Sequence, residues 1–222
     1  MMFCNTFIHF IMLFNTPATQ APLPFQAAID YAALVTDWAT AASSDGMTIT
    51  RNVAYGTDTA NTYDVFAPEH CTNAPILIFW HGGGWANGYK HWVYFMAQHV
   101  TQRGFVLCVP AYRLAPEYRL NVAFDDAVQA LKHIVGHAAQ HGGDASRIVL
   151  AGHSAGGHLA ALLALRSDAL AQAGVKPAQI KACLPISAIM DLHHPAPAAG
   201  SLEERVYTTV LEIGRASCRE RV

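Results

Sequence analysis

Between residues 75 and 187 the chain alternates unbroken apolar runs with longer stretches in which apolar positions recur every three or four residues. PILIFW (75–80) is a continuous apolar run and reads as a strand buried on both faces, and FVLCV (105–109), RIVLAG (147–152) and IKACLPIS (180–187) read as further strands. Between them lie helical patterns. HWVYFMAQHVTQR (91–103) places Trp92, Phe95, Met96, His99 and Val100 on one face, and the next helix aligns Phe124, Ala127, Val128, Leu131 and Val135. SAGGHLAALLALRS (154–167) is a third. Strands alternating with helices of this length predict βαβ units, and so a parallel sheet with right-handed crossovers.

The pattern changes upstream. Residues 24–42 set Phe25, Ile29, Tyr31, Leu34, Val35 and Trp38 at mostly helical spacing, which predicts an amphipathic helix ending at the SSDG turn. Two short strand-like runs follow, about 48–55 and 62–66, joined by the polar turn GTDTAN; they suit an antiparallel pair. The opening MMFCNTFIHFIMLF is apolar, but it has no Lys or Arg ahead of it and is too short to span a bilayer. It is expected to be a loosely packed arm or a mis-assigned start, with a secretory signal as the alternative.

Length and composition narrow the class. The 222 residues suffice for one sizeable core. Some 52% of them are apolar and 14% charged, which excludes a disordered chain. The formal charge of −2, with no basic stripe, argues against nucleic acid and anionic membranes as partners. Cys4, Cys71, Cys108, Cys183 and Cys218 are scattered without a C-x-x-C pair, so neither a disulfide framework nor a zinc site is expected, and a reducing cytoplasm is the default location. No metal or cofactor is expected.

Two motifs carry chemistry. Gly152-His153-Ser154-Ala155-Gly156 stands between a strand and a helix, the context a nucleophile elbow requires. Ser154 opens that helix, whose free N–H groups favour nearby negative charge. A glycine-rich β–α turn without a chemical role is the plainer alternative. HGGGW (81–85) directly follows the strand PILIFW, and successive glycines let main-chain N–H groups turn toward an oxyanion. Its alternatives are a flexible loop or a phosphate cradle, but no G-x-x-x-x-G-K-[ST] or G-x-G-x-x-G occurs to support nucleotide binding.

HGGGW, AYRLAPE (111–117), the FDDAVQAL helix and GGDASRIVLAGHSAGGHLAA (142–161) together resemble the α/β-hydrolase superfamily, specifically its hormone-sensitive-lipase-like carboxylesterases and the related kynurenine formamidases. The resemblance covers about residues 50–210. It implies a three-layer α/β sandwich whose sheet is mostly parallel with antiparallel N-terminal strands. It implies Ser154 as nucleophile and an oxyanion hole of the Gly83, Gly84 and Ala155 N–H groups. Hydrolysis of a carboxylic ester would then proceed through an acyl-enzyme, on a small-molecule substrate and without cofactor. An aryl formamidase and a non-catalytic binding module on the same fold are the alternatives. His81 and Asp126 match positions that brace loops, the helix at 24–42 matches a cap over the acyl pocket, and Trp85 is assigned to an apolar substrate pocket.

The base and acid are harder to find. In this fold the order is Ser, then Asp or Glu, then His. Asp191 with His193 or His194 is a poor substitute, because residues so close on one loop seldom place the acid behind the imidazole. His153 and His158 flank the serine, and their rings are expected to point away or into packing. His137 and His141 stand four apart on a helix but lack the Glu of H-E-x-x-H, so a solvated helix end is expected. EIGRASCRERV (212–222) departs from everything before it, and its back-translation resembles a sequencing-library adapter read as coding sequence. The expected organisation is therefore an N-terminal arm and cap-like helix (1–45), a hydrolase core lacking its last strands and its triad Asp and His (46–211), and an artefactual tail (212–222).

Overall fold

The computed structural model describes Gln20, residues 22–192 and residues 197–211. The apolar opening, His193, His194 and the 212–222 tail lie outside the described residues. Helix α1 (Gln26–Ala41) precedes strands β1 (Met47–Ala54), β2 (Thr62–Pro68) and β3 (Ala74–Trp80). A 3₁₀ segment (Lys90–Met96) runs into the short helix α2 (Ala97–Thr101), then β4 (Val106–Pro110) and α3 (Leu120–His137). The chain continues through β5 (Gly143–His153), α4 (Ala155–Leu165), α5 (Ser167–Gln172), β6 (Ile180–Ile186), α6 (Leu202–Arg205) and a π-helical turn (Val206–Val210).

The six strands form one sheet in the order β1-β2-β4-β3-β5-β6. β1 with β2 and β2 with β4 pair antiparallel, while β4, β3, β5 and β6 are parallel. Successive side chains of a strand point to opposite faces, and the central strands divide their residues accordingly between two cores. Ile76, Ile78, Trp80, Val106, Cys108, Ile148 and Leu150 pack beneath α3, α4 and α5. Phe79, Leu107, Val109 and Ala151 pack with Ala39 of α1, Val93 and Tyr94 of the 3₁₀ segment and Ala97 of α2. Helices thus cover both faces, which is why the strand sequences are apolar without alternation.

Two elements differ from the sequence expectation. The single helix expected over 91–103 is a 3₁₀ segment followed by five α-helical residues. Lys90, His91, Trp92, Val93 and Tyr94 are buried in succession, so contacts surround this segment instead of meeting one stripe. Its start is fixed by Lys90, whose ammonium meets Asp64 Oδ1 at 2.6 Å, Asn52 Oδ1 at 2.7 Å and Thr62 Oγ1 at 3.1 Å. The Asp64 carboxylate also accepts from the Tyr94 hydroxyl, the Asn52 N–H and Arg51. Burial pushes the Lys90 pKa down despite this pairing, since desolvating an ammonium outweighs the gain from one carboxylate. Second, α1 forms as expected but buries only Val35 and Ala39; Phe25, Ile29, Tyr31, Leu34 and Trp38 stay exposed. β6 is an edge strand with Leu184 and Ile186 about half exposed, the apolar edge expected of a core lacking its last strands.

The Lys90–Asp64 pair yields a stability prediction. Asp64→Ala strands a buried ammonium and should cost about 3–5 kcal/mol in urea unfolding. Lys90→Met combined with Asp64→Leu should recover most of that loss, and a simple sum of the two single losses would refute the account.

Candidate functional site

The elbow is built by glycine. Ser154 adopts φ 52° and ψ −117°, outside the favoured regions for a residue with a side chain. Its N–H donates to the Ile186 carbonyl at 2.8 Å and its carbonyl receives the His158 N–H at 3.0 Å, so β6 and the first turn of α4 hold it from both sides. β5 can turn this sharply into α4 only if the two approach closely. A Cβ on Gly152 would lie 2.4 Å from the Gly156 backbone, and one on Gly156 would lie 2.2 Å from the Trp80 carbonyl oxygen. Neither position accepts alanine without displacing main chain.

The glycine loop folds against this elbow. A Cβ on Gly82 would sit 3.3 Å from Ser154 Cβ, which places the segment beside the serine. Gly83 has φ 122°, and its carbonyl receives the Asn87 N–H at 2.9 Å, closing the loop into a turn. Gly84 has φ 61°. Further supports lie behind. His81 stacks on Tyr112 with ring centroids 4.5 Å apart, and the Tyr112 hydroxyl donates to the His81 carbonyl at 3.0 Å. The Ala115 N–H donates to the Trp85 carbonyl at 2.8 Å, tying AYRLAPE to HGGGW. That second segment is itself fixed by Asp126, which receives both the Arg113 backbone N–H at 2.8 Å and its guanidinium at 2.7 Å. Gln20 clamps the far end, donating to the Gly88 carbonyl at 2.7 Å and accepting the Gly88 N–H at 2.8 Å.

Ser154, Gly83 and Gly84 line one cavity of about 230 Å³. Phe25 at the N-cap of α1, Tyr31 within it, Trp92 of the 3₁₀ segment, Asn87, His153 and Arg205 complete much of its wall. Ala155 is fully buried at the first turn of α4, where a backbone N–H has no partner within the helix. The assignment of Trp85 to the pocket needs correction. Trp85 is 1% exposed, belongs to the core beneath α3 and α4, and meets His158 edge-on with ring centroids 5.3 Å apart. Trp92 stands at the cavity instead.

The histidines near the elbow divide. His158 is in packing, its Nδ1 within 2.6 Å of the Ile189 carbonyl. His153 departs from expectation: its ring lines the cavity beside Tyr31, centroids 5.7 Å apart, and its Nδ1 is buried without a hydrogen-bond partner among the described residues. Burial lowers the pKa of both, and that of fully buried His81 to about 4, so these rings are neutral near pH 7. Among the described residues no side chain hydrogen-bonds the Ser154 hydroxyl. Ser154, Gly83 and Gly84, singled out in the sequence, line the cavity together, and Asn87, Trp92 and Arg205 join them without having been singled out; only Trp92 carried a signal, as a member of an apolar face.

Known proteins resemble this chain over part of its length. The chain is 33% identical over 114 residues to a probable isoprenylcysteine alpha-carbonyl methylesterase of Arabidopsis thaliana, covering 51% of this chain and 24% of that one. It is 42% identical over 94 residues to a carboxylesterase of Mycobacterium tuberculosis, covering 41% of this chain and 29% of that one. Among solved structures, a bacterial heroin esterase superposes with TM-score 0.57 at 33% identity, over 67% of this chain and 47% of that one. The thermostable carboxylesterase EstE1, cloned from a metagenomic library, superposes with TM-score 0.60 at 25% identity, over 77% of this chain and 56% of that one. The matches span about a quarter of the length of these curated relatives. A family model described as the alpha/beta hydrolase fold matches residues 77–215, more than half of the chain, and this match agrees with the strand order and the glycine-built turn; the chain belongs to the alpha/beta hydrolase fold family.

Proposed function

We propose that the protein is a serine hydrolase of carboxylic esters, with Ser154 the nucleophile and small apolar acyl or aryl groups bound in the adjoining cavity. The observation that carries this reading is a strained serine at a strand-to-helix turn sharing one cavity with Gly83 and Gly84. Strain of this kind costs on the order of 1–3 kcal/mol and clusters where chemistry needs an exposed group. The esterase names among the relatives support the same reaction class.

In this mechanism Ser154 Oγ attacks the acyl carbon and the carbonyl π electrons move onto oxygen. The N–H groups of Gly83, Gly84 and Ala155 donate to that oxyanion. Collapse expels the alcohol and leaves an acyl-serine, which water then cleaves. The base and acid that move the protons are assigned to segments outside the described residues. His153 is not given that role: it adjoins Ser154 on the elbow itself, and no described carboxylate orients its ring. Aryl formamides fit the same aromatic walls, and an amide would follow the same steps.

A fluorophosphonate probe tests the assignment on the 222-residue chain. Labelling should fall on Ser154 alone and should vanish in Ser154→Ala. A label elsewhere, or one that survives the substitution, would overturn it and favour a binding module. Gly83→Ala is a second test, because its Cβ would lie 2.0 Å from the Asn87 carbonyl oxygen. Displacing one oxyanion donor should slow labelling by about 10²–10³-fold, with the far-UV dichroism unchanged.

A further inference from the structure

Arg205 is the one side chain among the described cavity-lining residues that carries a fixed charge. It stands at the end of α6 and is half-buried. Its guanidinium donates to Asn87 Oδ1 at 3.1 Å, and no carboxylate of the described residues lies within ion-pair distance of it. The acidic neighbour Glu204 is turned elsewhere, with Oε2 receiving the Gly200 N–H at 2.6 Å. Other described arginines are committed differently: Arg51, Arg113, Arg147 and Arg166 each pair with an aspartate.

A guanidinium presents five N–H donors in a planar fork suited to carboxylates, and a neutral amide oxygen engages only one arm of it. The walls beside it are apolar and aromatic. Tyr31 meets Trp92 edge-on with centroids 5.8 Å apart, and Phe25, at the N-cap of α1, lines the same cavity. Partial exclusion of water strengthens a charge-assisted hydrogen bond there. Arg205, Asn87 and Ser154 all border a space of about 230 Å³, room for an aryl ring and one small polar group.

We propose that Arg205 is a specificity-determining residue which selects substrates carrying a carboxylate, so that the preferred ligand of this cavity is an anionic aromatic ester or amide rather than a neutral one. The proposal rests on the cavity being the substrate site, as in the preceding reading. In it the ring packs against the Tyr31–Trp92 pair, the carboxylate meets the outer arm of the Arg205 fork, and Asn87 holds the other arm in place.

The test needs no turnover. Benzoate and benzamide have nearly the same shape and differ in charge, so titrating each into the 222-residue chain by calorimetry isolates the contribution of Arg205. Benzoate should bind about tenfold more tightly than benzamide. Arg205→Gln should abolish that preference while leaving benzamide binding unchanged, and Arg205→Lys should keep part of it. Ser154→Ala should leave the preference intact, so a parent chain that the fluorophosphonate probe fails to label would count against the nucleophile and not against Arg205. Equal affinity of the parent chain for both ligands, absence of binding by either, or a benzoate preference that survives Arg205→Gln with the melting temperature unchanged would each overturn the proposal.

Discussion

The structure depends on how closely two backbones can approach at the end of β5. Gly152 and Gly156 face each other across the turn, and Gly156 also lies against the Trp80 and His81 carbonyls at the end of β3. One contact therefore fixes three things together: the exit of β5, the start of α4 and the position of the loop leaving β3. Ser154 is held in a disfavoured backbone conformation because the elements on either side leave it no other. The cost is met by burial elsewhere in the central strands, where Ile76, Ile78, Leu107, Ile148 and Leu150 are almost wholly removed from water.

Around that turn the site is supported by polar groups far apart in sequence. Asp126 holds Arg113, the 111–117 segment holds the Trp85 carbonyl, and Gln20 holds Gly88. Asp64 and Lys90 anchor the segment that brings Trp92 to the cavity. A loop of consecutive glycines has high conformational entropy when free, and these brackets limit it to one conformation. Oxyanion donors act only if they are aimed before the charge appears.

Much of this was readable because the requirement is local. Only glycine tolerates the approach at 152 and 156, so the motif states its own geometry. Runs such as PILIFW declare a strand covered on both faces without knowledge of what covers them. The pairing of β1 with β2 was legible from a polar turn between two alternating runs, and the register confirms it from Met47 opposite Pro68 to Ala54 opposite Thr62. The helical reading of 91–103 failed because its periodicity was judged against one buried face, whereas Lys90 is drawn to Asp64 and the next residues are enclosed on several sides.

The sequence by itself determined the strand and helix alternation, the elbow and the glycine loop, since each follows from steric limits among neighbouring residues. Which tryptophan reaches the cavity was settled only in three dimensions: Trp85 packs in the core against His158 while Trp92 stands at the wall. The same holds for Arg205, which meets Asn87 from 118 positions away. No local pattern encodes such a meeting, because it depends on where α6 lies against the end of the sheet, and that is decided by the packing of the whole chain.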